Sequence, residues 1–130
     1  MFLISKTEFM IVVVSHWWMK WVASMAYRIQ GNDEIFAAQS IFIFIVLREK
    51  ELAESSRLIN HEKIHFKQQL ELLFVGQWIL YLVFYLINLI KYKNHHKAYM
   101  LIPFEKEAYQ NDGNMNYLKE RKAFAWWKYL

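Results

Sequence analysis

Cysteine is absent from all 130 residues, and with it go disulfides, thiolate metal sites and thiol nucleophiles. The chemistry left to the chain rests on His, Asp, Glu and hydroxyls. Proline occurs once and glycine three times, too few turn-formers for an all-β sandwich or barrel. Helices are expected to dominate. The length accommodates one ordinary domain and is short for two.

Apolar and aromatic residues, by contrast, are abundant. They make up 56% and 18% of the chain, more than a core this small hides, so some of that surface is expected to meet lipid or a partner. Charge is uneven along the chain. Residues 1–90 hold eight Lys/Arg and eight Asp/Glu, whereas residues 91–130 hold eight and four, so the whole excess of +4 lies at the C-terminal end. Aromatics sit among those charges, as in Phe124-Ala125-Trp126-Trp127-Lys128-Tyr129-Leu130, and no nucleic-acid-binding motif accompanies them. The expected partner of the basic end is therefore the anionic leaflet of a membrane, with no nucleic acid.

Residues 9–27 form an apolar stretch interrupted by Ser15, His16 and Lys20 among Trp17, Trp18 and Trp21, which predicts an interfacial helix. The continuous run Ser40 to Leu47 predicts a strand at 41–47. Ser55 and Ser56 can cap a helix that follows, in a pattern free of proline from Leu58 through Tyr92. Within it Leu70 to Ile90 carries one charge, Glu71, which is nominally enough to cross a bilayer or to form a buried helix. Pro103 suits the first turn of a helix over about 103–112, with Glu105 and Glu107 where the helix dipole favours carboxylates. A basic aromatic tail, expected to form a final helix or anchor, occupies 116–130.

The chemistry-bearing pattern is His61-Glu62-Lys63-Ile64-His65. On a helix the two histidines stand one turn apart with Cβ atoms roughly 5–6 Å from each other, so both imidazoles can reach one Zn2+. Glu62 is rotated off that face and is placed to accept the proton of an attacking water. A zinc that hydrolyses needs a third protein ligand and an open position. Glu105 and Glu107 are both available, but two residues of separation turn a helical side chain by about 200°, so only one can face the metal. Glu105 shares its face with the small Ala108, which would let the helices approach, and is the better choice; Glu107 is then expected as a solvated or salt-bridged surface acid. Gln69, four residues beyond His65, can orient a ligand, whereas His95-His96 and His16 are expected to face solvent, head groups or packing partners.

The pairing of HExxH with a later helix reading Glu105-Lys106-Glu107-Ala108-Tyr109 resembles the gluzincin metallopeptidases, including membrane families of the HtpX type and the antibiotic-sensing receptor peptidases. That resemblance implies His61, His65 and Glu105 as zinc ligands and Glu62 as general base, with Tyr109 standing where the HtpX type has Asp. The wider pattern, Ile59-Asn60-His61-Glu62, Gln68-Gln69 and Pro103-Phe104-Glu105-Lys106-Glu107-Ala108-Tyr109, is also similar to a group of small bacterial membrane proteins. In gluzincin-like sites the strand before the metal helix offers its edge to an extended peptide, which would give Ile41–Val46 a part in substrate binding beside ordinary core packing.

A straight helix from His65 to Lys91 would run about 39 Å, and the 14 residues back to Glu105 reach at most about 46 Å at full extension, so an unbroken return is barely possible and a break would bring Glu105 back easily. Gly76 or the 91–97 loop is its expected place. The expected architecture is mainly α within a single membrane-associated domain over 1–130. It places an N-terminal interfacial helix and strand in 1–50, metal-site helices in 55–112 and the basic aromatic tail in 113–130. The function expected is a peptidase of the bacterial cytoplasmic membrane acting on a polypeptide substrate; a non-catalytic zinc-stabilised membrane protein and a metal-free membrane-binding scaffold are the alternatives.

Overall fold

A computed structural model of the chain describes residues 2–7, 10–15, 17, 38–41, 44–47 and 50–130. It is mainly helical, as expected, with a small sheet. Its contacts gather into two compact units, Met1–Lys63 and Ile64–Leu130, and the boundary falls inside one unbroken helix.

The first unit contains the strands β1 (Phe2–Thr7), β2 (Met10–Val14), β3 (Ala38–Ile41) and β4 (Phe44–Leu47), in the order β1-β2-β4-β3. The β1–β2 and β3–β4 pairs are antiparallel, and β2 runs parallel to β4 with Val12 opposite Ile45. Two expectations change here. Met10–Val14 is a strand, because its β-branched run suits an extended pleat; the rest of the interfacial helix expected over 9–27 lies largely outside the described residues. The apolar run of 41–47 is shared between two strands, Ile41 ending β3 and Phe44 opening β4. Ile45, Val46 and Leu47 are all buried, so both faces of β4 are covered. With β2 on one side and β3 on the other, β4 has no edge to offer a peptide, and among the described residues the edge on that side of the sheet belongs to β3.

The helix that joins the units is α1 (Ser56–Glu71). Ser55 caps it, its hydroxyl accepting from the Leu58 N–H at 3.3 Å. The second unit continues with α2 (Val75–Tyr92), α3 (His95–Met100), α4 (Pro103–Asn111), the short α5 (Tyr117–Glu120) and a 3₁₀ turn at Ala125–Tyr129. The break after the metal helix falls at Leu72–Phe74, ahead of Gly76. Leu73 and Phe74 both take positive φ, 53° and 59°, and the Phe74 N–H closes back on the Gln69 carbonyl at 2.6 Å. A β-carbon at Gly76 would stand 3.4 Å from Leu72 Cβ, an ordinary contact, so the break does not depend on glycine there.

The chain reverses at Lys93 (φ 50°) and Asn94, whose side chain accepts from the Lys97 N–H at 2.8 Å. Lys93 is exposed and left-handed, the position where glycine is favoured, so Lys93→Gly is expected to stabilise the protein by about 1 kcal/mol. Chemical denaturation checks this, and a loss of similar size would mean that Lys93 makes a stabilising contact outweighing the strain.

From that reversal α3 and α4 run back along α2. Asn88 donates to the Ala98 carbonyl at 3.1 Å, Tyr85 pairs with His95 Nδ1 at 2.8 Å, and Tyr81 stacks on Phe104 with ring centroids 6.4 Å apart. Tyr85, Ala98, Ile102, Phe104 and Trp126 form the core of this unit. The segment 116–130, expected as a final helix or anchor, holds the short α5 and the 3₁₀ turn, and Trp126 in that turn lies 5.0 Å from Phe104, centroid to centroid, so it packs onto α4. Lys106 Nζ and Asn111 Nδ2 hold it there through the Tyr129 carbonyl and hydroxyl, each at 3.0 Å.

Candidate metal centre

Helix α1 carries His61 and His65 one turn apart, and Pro103 starts α4 so that Glu105 falls in its first turn. One ligand atom from each of these three residues lies within 4.8 Å of the other two, and all three residues are buried. His65 Nε2 stands 3.4 Å from Glu105 Oε1. Two ligands bonded to one zinc at about 2.0–2.1 Å in tetrahedral geometry are about 3.3–3.4 Å apart, so this pair already spans a tetrahedral edge. Two nitrogens and one carboxylate leave a fourth position open, the donor set of a hydrolytic zinc site.

The tautomer of His65 follows from its neighbours. Gln68 is fully buried and its Nε2 donates to the Phe104 carbonyl at 3.0 Å and to Glu107 Oε2 at 2.9 Å. Its Oε1 is thereby turned toward His65 Nδ1, 2.8 Å away, and accepts the proton carried there. A neutral His65 consequently directs its Nε2 lone pair at the Glu105 carboxylate, and two electron-rich atoms at that distance require a cation or a proton between them. Tyr81 on α2 donates to the same Glu105 oxygen at 2.8 Å and fixes the plane of the carboxylate.

Glu107 is salt-bridged, as one of the two expectations had it, but it is no surface acid. It is wholly buried, where it accepts from Gln68, from Tyr117 Oη at 2.9 Å and from Arg121 Nη2 at 3.2 Å, with Arg121 Nε on its other oxygen. The same guanidinium grips Glu71, the last residue of α1, through both Nη atoms. Glu71 Oε1 also accepts from the Phe124 N–H at 2.9 Å. Burial alone would lower the affinity of Arg121 for its proton, but hydrogen bonds and charge from Glu71 and Glu107 outweigh it and raise the pKa. Burial and then the Glu107 hydrogen bond push the Tyr117 phenol upward, so it stays a donor. Burial, reinforced by Glu105, does the same to Tyr99, which faces Tyr109 Oη at 3.4 Å.

Glu62 is buried beside His61 on α1 and lies outside the three-residue group. The residue oriented on His65 is Gln68, which the sequence reading did not single out: the three-residue step puts Gln68 on the Nδ1 side of the ring. Its signal was available as a polar residue at i+3 from a ligand. His95 pairs with Tyr85, apart from the group, and His16 lies outside the described residues. No family model matches the chain, and no curated protein or solved structure does.

Proposed function

We propose that the protein is a gluzincin-like zinc peptidase acting at the surface of a membrane, with His61, His65 and Glu105 as metal ligands. The convergence of these three donors from α1 and α4, with the His65–Glu105 pair at 3.4 Å, carries the reading. Zinc held there would polarise a scissile carbonyl and make water nucleophilic at neutral pH. The chain's own part is positional and protolytic. Gln68 holds the His65 ring with Nε2 inward, Tyr81 holds Glu105, and Glu62, next to the first ligand, accepts the proton of the attacking water and passes it to the leaving amine. The buried state of Glu62 favours this role, because bulk water is kept from competing for the proton in transit.

Metal analysis tests the ligand set. Wild-type protein is expected to bind a single zinc per chain, and His61→Ala to lose it, because two remaining ligands hold zinc weakly. Digestion of a broad peptide library, read by mass spectrometry with a chelator control, tests the activity. Zinc-loaded protein that cleaves neither the library nor membrane-protein substrates would instead be a protein that zinc merely stabilises. Failure to bind zinc at all would end the metal reading.

A further inference from the structure

Among the described residues one helix, α2, is long and apolar enough to cross a membrane. Its contacts argue against a crossing. Tyr81, which donates to Glu105, is within about 4 Å of the helix midpoint at 1.5 Å per residue. Phe104 packs against Tyr81 and Phe84, and Trp126 packs on Phe104 in turn. A crossing α2 would therefore carry α4, with Glu105 and Lys106, and the C-terminal turn, with exposed Lys128, at the centre of the bilayer, where charge is strongly disfavoured.

The opposite side of α2 has the reverse character. Val75, Trp78, Ile79, Leu82, Leu86 and Ile90 recur at helical spacing and are all exposed, a continuous apolar stripe about 22 Å long. At its end Lys91, Lys93 and Lys97 are exposed, and Lys91 and Lys97 flank the Tyr92 ring with their ammonium groups 5.1 and 4.5 Å from its centroid. An apolar stripe ending in a lysine and tyrosine cluster is complementary to an anionic bilayer surface: acyl chains for the stripe, head-group phosphates for the lysines. We infer that α2 lies in the plane of an anionic phospholipid membrane, embedded to the depth of one helix face, and carries α3 and α4 on its back without spanning. This inference does not rest on the zinc reading, and it stands or falls whether or not metal binds.

The absence of cysteine makes the test direct, because single cysteines at positions 75, 79, 82, 86 and 90 take a unique fluorescent label in the full chain. Bound to vesicles of phosphatidylglycerol and phosphatidylcholine, all five labels are expected at one shallow depth by brominated-lipid quenching. A depth profile that peaks near position 82 and falls toward both ends would establish a crossing and overturn the inference. So would labels that no brominated lipid quenches, the outcome if a second copy or another protein covers the stripe. Replacing Lys91, Lys93 and Lys97 by Gln should weaken binding to these vesicles by about 100-fold, at roughly fivefold per lysine. Unchanged partitioning in that variant, checked for folding by circular dichroism, would also overturn the proposed electrostatic half.

Discussion

Glu62→Gln is expected to bind zinc as wild type does and to lose peptide hydrolysis by about 100-fold or more, the usual scale for removing a general base. The reasoning is that Glu62 is not among the three converging donors, so the amide leaves the ligand set intact. It nevertheless removes the only group on α1 adjacent to the first ligand that can take a proton from water. Side-by-side zinc titration and library digestion of the two proteins separate holding the metal from using it. Undiminished cleavage by Glu62→Gln would refute the assignment. Glu107, the other acid near the site, is an unsuitable substitute base, because Arg121 and Tyr117 already engage its oxygens.

The largest loss of stability is expected from Arg121→Leu. The Arg121 guanidinium joins the end of α1 to α4 by pairing with Glu71 and Glu107, whose side chains are 13% and 0% exposed. Removing it leaves the buried Glu107 carboxylate, and the partly buried Glu71 beside it in the clamp, without their shared counter-charge, an effect of about 3–5 kcal/mol. The melting temperature should fall by about 12 °C or more, at roughly 4 °C per kcal/mol. Arg121→Lys keeps the charge but cannot present the fork that grips two carboxylates at once, so it should recover only part of the loss. Calorimetry of the three proteins under one condition decides the point; if Arg121→Leu melts at the wild-type temperature, the clamp contributes nothing. Zinc affinity should fall in the same order, because Glu107 holds Gln68, and Gln68 holds His65.

Features written in local spacing were legible in the sequence. The i, i+4 histidines, the Ser55 cap and the Pro103 start each depend on neighbours within one turn; the 200° rotation between Glu105 and Glu107 let only one acid face the histidines, and the small Ala108 on the Glu105 face pointed to Glu105. Pairings that depend on distant segments were not. Arg121 lies 50 residues from Glu71 and 14 from Glu107, and no periodicity links such residues, so Glu107 looked like a surface acid. The break was expected at Gly76 or in the 91–97 loop, and the chain does reverse in that loop, at Lys93 and Asn94; the interruption that ends α1 was not foreseen and falls on Leu72–Phe74, next to Glu71, which is held by Arg121 and the Phe124 N–H. The strand at Met10–Val14 carried a readable signal, four β-branched residues in succession, that the tryptophans just beyond it obscured.

Arg121 comes after both histidines and after α4 in the sequence. During synthesis α1 can therefore form, and even α4 can emerge, before the guanidinium that neutralises Glu71 and Glu107 exists. Until it arrives those carboxylates favour separation, and Gln68 lacks a fixed anchor for the His65 ring. The order of translation thus delays this clamp until Arg121 has been made, so a chain stalled between His65 and Arg121 carries the histidine motif without the contacts that hold Glu107 and Glu71.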